Sequence, residues 1–243
     1  MVDVRGILLD IEGTTSSVRF VYDVLFPFAL DNLEAFIDQH WLDDDAQAAC
    51  QQIAKDAGAE SLEAWCDGSK DRAVQQRRVI DEVRRLMAGD VKATGLKELQ
   101  GLIWRQGFVS GTLVSHVYAD VPPALADWNR RGIDVRIYSS GSVAAQRLFF
   151  SHTEHGDLLG SFRGHYDTTT GPKREAESYR KIAADVKLPA SAMMFFSDIV
   201  AELDAAREAG MQTRLVVRPG NAVSETGHGH IVVESFTGSL LQS

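Results

Sequence analysis

VRGILLDIEGTTSS, residues 4–17, decides the fold. The apolar run at 4–9 ends at Asp10 and is followed by IEGTTSS, a string of turn formers, so it predicts a buried strand that opens into a turn. From about residue 20 to 105 the period changes. Phe26, Leu30, Leu33 and Ile37, then Val79, Ile80, Val83 and Met87, then Leu96, Leu99 and Ile103 recur at steps of three and four, which predicts helices throughout. After Tyr118 the pattern alternates. Helices are predicted at 123–131, 142–152, 175–186 and 199–209, and strands at 134–138, 192–196, 213–217 and 231–234, with a short extended piece at 162–166. Such alternation means an α/β fold with a doubly wound, mainly parallel sheet covered by helices. The first strand stands apart from the rest of its sheet by a long helical stretch. The economical arrangement is a core of residues 1–16 and 116–243, with an all-helical cap domain at 17–115 inserted after the first strand. That insert is expected to sit over the strand ends as a lid, with Phe20, Tyr22, Phe26 and Trp104 as aromatic residues that belong first to its own packing.

The chain has 243 residues, 44% hydrophobic and 24% charged, with 20 Gly and 6 Pro, a composition that excludes disordered, collagenous and low-complexity classes. Its net charge of −9 opposes phosphate backbones and anionic lipid, so neither nucleic acid nor a membrane surface is an expected partner. An anionic ligand would need local cations or a metal. The two cysteines, Cys50 and Cys66, lie in helical segments without metal spacing and read as buried thiols in a reducing compartment. The longest stretch without Asp, Glu, Lys or Arg covers 106–119, only 14 residues, short of the roughly 18 that a membrane span needs. The first ten residues carry charges inside their apolar run and no cleavage site, so a cytoplasmic protein is expected.

In an open parallel sheet the ligand crevice lies at the carboxyl ends of the strands, and polar residues just after an apolar run gain weight there. Asp10 and Glu12 follow the first strand, Ser139 and Ser140 follow DVRIY, Lys173 opens a helix after TTTGP, and Asp198 follows AMMFFS. Singly, each could be a turn or helix cap. Together they suit phosphoryl transfer, which needs a nucleophile, a metal, a fixed cation and donors around the phosphate. Asp10 can be nucleophile and metal ligand. Glu12, two residues on along an extended chain, shares its side and can handle protons. Ser139 and Ser140 offer hydroxyls and the amides of the SSGS turn, Lys173 a permanent charge, and Asp198 a second carboxylate for Mg²⁺. Glu202 lies four residues after Asp198 on the same helix face and supports the site from behind, while Asp204 points elsewhere.

DIEGTTSS at 10–17, IYSSGS at 137–142, GPKREAESYRKIA at 171–183 and FFSDIVAELDAAREAGM at 195–211 resemble the ordered motifs of the haloacid dehalogenase-like hydrolases. More narrowly they are similar to the enolase-phosphatase, or acireductone synthase, family of methionine salvage, as are the 20–41 segment and VRPGNAV at 217–223. The wider superfamily has Asp-x-Asp; Asp10-x-Glu12 is the form used by the narrower family. The resemblance implies one Mg²⁺ per chain and a two-step reaction on 2,3-diketo-5-methylthiopentyl-1-phosphate: enolisation, then hydrolysis of the phosphate to leave the acireductone. It further implies that Asp10 is nucleophile and metal ligand, that Glu12 binds metal through its main-chain oxygen with its carboxylate kept for acid–base work, that Asp198 is a metal ligand, and that Ser139, Ser140 and Lys173 bind substrate. A cytoplasmic monomer goes with it. The residues do not single out the base of the first step, and Glu12 is the first candidate as the spare carboxylate beside the nucleophile.

Two other readings share these residues. One is a phosphatase or phosphomutase of the same superfamily acting on a small sugar phosphate without an enol step; Glu12 in place of Asp speaks against it. The other is a non-catalytic phosphate- or metal-binding protein, against which the intact nucleophile, serine, lysine and carboxylate set argues. His228 and His230 lack further ligands nearby and read as an exposed loop. Asp43, Asp44 and Asp45 read as a helix start. No GxxxxGK[ST], GxGxxG or GxSxG pattern is present.

Overall fold

The computed structural model describes residues 4–222 and 227–238. Val223, the last residue of VRPGNAV, and the ends of the expected core at 1–3 and 239–243 lie outside the described residues. By its internal contacts the chain forms two compact units, one of Met1–Val21 with Val114–Ser243 and one of Tyr22–Leu113.

In the first unit, six strands are laid down: β1 (Gly6–Leu9), β2 (Asp134–Tyr138), β3 (Gly164–Tyr166), β4 (Met193–Ser197), β5 (Gln212–Val216) and β6 (Ile231–Val233). Their order is β3-β2-β1-β4-β5-β6, and every pairing is parallel. β1 and β4 are buried along their whole length, which is why GILL and MMFFS read as unbroken apolar runs rather than alternating ones. Successive residues of β4 feed the two faces of the sheet. Phe195 joins Leu8, Tyr138, Tyr179, Ile182, Leu203 and Leu215 in one buried cluster. Phe196 instead packs against Trp128, tilted, and Phe236, edge-on, at centroid distances of 5.8 and 5.2 Å. Helices Val121–Arg130, Val143–Ser151, Ala176–Val186 and Val200–Glu208 alternate with the strands. Ser142 starts the second of these by accepting a hydrogen bond from Ala145 N at 3.2 Å, and Lys187 ends the third in the left-handed conformation. The strand order reverses direction of travel at β1, the central strand, and this reversal opens a crevice at the carboxyl ends of β1 and β4.

The second unit is all helical, with Phe26–His40, Asp44–Asp56, Arg72–Ala88 and Thr94–Val109 joined by a short turn of helix at Leu62–Trp65. Leu33, Phe36, Ile37, Cys50, Ile53, Val79, Val83, Leu99 and Ile103 form its core. Cys50 and Cys66 are both buried and unbridged. The acidic run starts a helix: Asp43 precedes Asp44–Asp56 and pairs with His40 Nδ1 at 2.7 Å. Gly95 lets its helix approach the Ile53 backbone so closely that any Cβ would collide with it, and Asp56 Oδ2 accepts the Gly95 N–H at 2.7 Å. Within this unit the Trp104 indole donates to Leu25 O at 2.9 Å and Tyr22 meets Phe26 edge-on; Phe20 belongs to the other unit, edge-on to Phe149. Among the described residues no helix is long and apolar enough to cross a membrane.

Candidate active site

Leu9 of β1 pairs with Ile137 of β2 on one side and Phe196 of β4 on the other. The chain therefore leaves three neighbouring strands at Asp10, Ser139 and Asp198, which brings together residues from distant parts of the sequence. Asp10 is buried, and its Oδ1 accepts both from Ile11 N and from Lys173 Nζ, each at 2.8 Å. The chain then turns sharply. The carbonyl of Ile11 accepts from the amides of Thr14, Thr15 and Ser16 at 3.2, 3.0 and 2.9 Å, and Thr15 Oγ1 donates to Asp10 O at 3.1 Å. A turn thus begins at Ile11, directly after Asp10. The turn is made possible by Gly13 at φ +68°, and a Cβ there would run into the Asp198 carboxylate.

Lys173 sits in the turn before helix Ala176–Val186 and does not open that helix. Three hydroxyls hold the carbonyls of three consecutive residues there: Tyr138 donates to Gly171 O at 2.8 Å, Ser178 to Pro172 O at 2.7 Å and Tyr179 to Lys173 O at 2.7 Å. With its main chain fixed, the lysine sends its ammonium between Asp10 and Glu202, 2.7 Å from Glu202 Oε2. Its side chain is 8% exposed. Burial alone would lower the Lys173 pKa, but the two carboxylates outweigh it and hold the ammonium above its ordinary value. Glu202 also accepts from Ser197 Oγ at 3.1 Å, and burial and the Asp10 charge push its carboxyl upward in spite of Lys173. Asp198, two residues before the helix, is pushed up to about 7 by burial and by the neighbouring Asp10 carboxylate. The Lys173 charge offsets this only in part.

Ser139 is buried and Ser140 half-buried at the end of β2. The SSGS turn is held by groups that spacing does not reveal. Gln146 Nε2 donates to Gly141 O and Tyr166 O, both at 2.8 Å, and Asp167 Oδ2 accepts from Val143 N at 3.1 Å. The Gln146 carbonyl oxygen lies 3.3 Å from His165 Nδ1. Burial, then the charge of Arg147, lowers the His165 pKa to about 4. The neutral imidazole can then donate from Nδ1, which orients the Gln146 amide toward the turn.

Other readings change. His230 is not in an exposed loop: it is buried, 2.7 Å from Thr213 Oγ1 and 3.1 Å from Asp204 Oδ1, with His228 stacked on it. Burial, with the Arg207 charge behind it, lowers its pKa. GHGH looked exposed because its glycines signal a turn, whereas the second imidazole folds back under β5. Among the described residues no three His, Cys, Asp or Glu side chains are grouped to hold a metal by themselves.

Residues 4–210 match the model of a hydrolase family described as haloacid dehalogenase-like hydrolase. An Enolase-phosphatase E1 of Pseudomonas aeruginosa (strain LESB58) is 46% identical over 239 residues, covering 98% of this chain and 99% of the relative. One from Sorangium cellulosum (strain So ce56) is 47% identical over 232 residues, 96% of this chain and 95% of its own. The crystal structure of UTR4 from Saccharomyces cerevisiae matches with a TM-score of 0.75 at 33% identity, over 96% of this chain and 98% of that one. The strand-end carboxylates, the lysine between them and these full-length likenesses place the chain among the haloacid dehalogenase-like hydrolases, in the enolase-phosphatase family.

Proposed function

We propose that the chain is a Mg²⁺-dependent enolase-phosphatase that enolises 2,3-diketo-5-methylthiopentyl-1-phosphate and then hydrolyses its phosphate to release the acireductone. One observation carries the mechanism: Lys173 joins Asp10 at the end of β1 to Glu202 behind β4, while Asp198 closes on the turn after Asp10. Met1–Val21 with Val114–Ser243 would be the catalytic core and Tyr22–Leu113 the cap.

The residues fit a hard divalent ion. Asp10 and Asp198 repel each other as anions, and a buried Asn221 Oδ1 with no hydrogen-bond partner among the described residues lies beside Gly13 with Asp198. Asp10, Asp198 and the main-chain oxygen of Glu12 would hold it. Bound there, Mg²⁺ neutralises phosphate oxygens and polarises a carbonyl as a Lewis acid. Asp10 Oδ1 is held by Ile11 N and Lys173, and the Asp10 carboxylate is the nucleophile that attacks phosphorus. Lys173, Ser139 and Ser140 bind the phosphoryl oxygens as charge builds on them. Glu12 gives a proton to the leaving oxygen, then takes one from the water that cleaves the aspartyl phosphate. In the first step Glu12 removes the proton beside the carbonyl. The substrate is a small molecule, with neither nucleic acid nor membrane involved, and the enzyme acts as a cytoplasmic monomer.

Supplying the diketo phosphate with Mg²⁺ and following enol absorbance beside phosphate release tests the proposal. Enol should rise before phosphate appears, and chelator should stop turnover. Hydrolysis of sugar phosphates without any enol signal would instead support the simple phosphatase.

A further inference from the structure

The loop after β5, RPGN at 218–221, does work that the mechanism above does not use. Arg218 is buried, with 4% of its side chain exposed. Its guanidinium lies over the rings of Tyr118 and Phe236, 4.4 and 4.9 Å from their centroids. Nη1 and Nη2 take the two Asp120 oxygens at 3.0 and 3.1 Å, and Nη1 also reaches Glu234 O at 3.0 Å. Asp120 is fastened in turn by Phe236 N and Ser235 Oγ. Burial works against its charge, but the Phe236 amide and the guanidinium outweigh it and hold its carboxyl below the usual range. What remains of the guanidinium, Nε, donates to Thr14 O at 3.1 Å.

Three residues on, Asn221 Nδ2 donates to Gly13 O at 2.9 Å and to Val216 O at 3.3 Å. Two side chains from one loop therefore grip two consecutive carbonyls of the turn that follows Glu12. A peptide plane whose oxygen is held cannot rotate, so the grip fixes the left-handed Gly13 and with it the approach of Asp198. The other end of the Asn221 amide is the telling atom. Oδ1 is buried and has no hydrogen-bond partner among the described residues, and it lies 3.1 Å from where a Gly13 Cβ would stand, the same spot that the Asp198 carboxylate crowds. A buried acceptor left unpaired is costly, and a water carried by a divalent ion would satisfy it.

We propose that Arg218 and Asn221 are positioning residues that clasp the Gly13–Thr14 turn and thereby set the affinity of the site for its divalent cation. Resting on the Mg²⁺-dependent reading, the inference makes metal binding depend on a buried ion pair outside the set of phosphate-binding and acidic groups. Partners that orient metal ligands from outside typically change affinity by about 10- to 100-fold.

The test is calorimetric titration of Mg²⁺ into the full chain in its wild-type, Asn221→Ala and Arg218→Lys forms, beside thermal melts of the metal-free proteins. Asn221→Ala should raise the Mg²⁺ dissociation constant by about tenfold or more. Arg218→Lys, which keeps the charge but loses the planar fork, should raise it in the same direction. Wild-type affinity in the folded variants, however far their melting points fall, overturns the clasp. Should Arg218→Lys fail to fold, Asn221→Ala decides alone. Failure of the wild-type protein to bind Mg²⁺ overturns the magnesium-dependent reading, and the clasp with it.

Discussion

Tyr179 donates its hydroxyl to the carbonyl of Lys173 across 2.7 Å. The residue that carries the positive charge of the site is therefore anchored from the next helix, by a side chain that is itself fully buried. Tyr179→Phe keeps the ring and leaves that carbonyl unsatisfied, which costs about 1–3 kcal/mol. A lower melting point and a raised KM for the phosphate ester, with kcat less affected, are the expected outcome; steady-state kinetics beside a thermal melt checks it.

Gly13→Ala should be far more damaging than its one added methyl suggests. The residue is held at φ +68°, and the new Cβ meets the Asp198 carboxylate. Moving a catalytic group by an ångström can cost on the order of 10²-fold in rate. Loss of that order in kcat, with the circular dichroism of a folded protein, is the result to look for.

On the proposed mechanism, Glu12→Gln removes the acid–base group while keeping the size and the main chain. Both enol formation and phosphate release should stop, followed by absorbance and by phosphate assay on the same sample. Enol building up at the wild-type rate would take Glu12 out of the first step.

His165 makes stability depend on pH. Its ordinary pKa of 6.5 falls to about 4 in the folded chain, so between these values the unfolded chain binds the extra proton. Stability is complete above about 6.5, is lost as pH falls toward 4, and loses nothing further below that. Allowing for its partial exposure, the loss is roughly 2 kcal/mol. His165→Gln should flatten this part of the profile; melting points taken across pH 4 to 7 measure it.

Most of the scaffold could be read from the chain because buried parallel strands must be apolar throughout. GILL and MMFFS announce themselves, and the aspartates that end them fall at the crevice. The places where the reading failed share a cause. The Asp10–Glu12 spacing shows no turn, but the Ile11 carbonyl collects three amides and the chain bends there. TTTGPK reads as the start of a helix, yet hydroxyls from Tyr138, Ser178 and Tyr179 hold Lys173 in a turn instead. VRPGNAV stands out only by resemblance, and the task of Arg218 and Asn221 is hidden because what they hold, Thr14 O and Gly13 O, lies some two hundred residues away in sequence. Main-chain oxygens have no sequence identity, so no pattern of residue types can point to them.

The pairing of Gly6 with Asp134 on one side and Met193 on the other has a consequence for how the protein is made. The innermost strand is the first to leave the ribosome, and neither of its neighbours exists yet. At synthesis rates of about 5–20 residues per second, the wait for the nearer one is roughly 6–25 s. The helical stretch between them has time to fold on its own while a sticky tetrapeptide stays exposed, so the nascent chain, rather than the finished enzyme, is where aggregation and the need for a chaperone should concentrate.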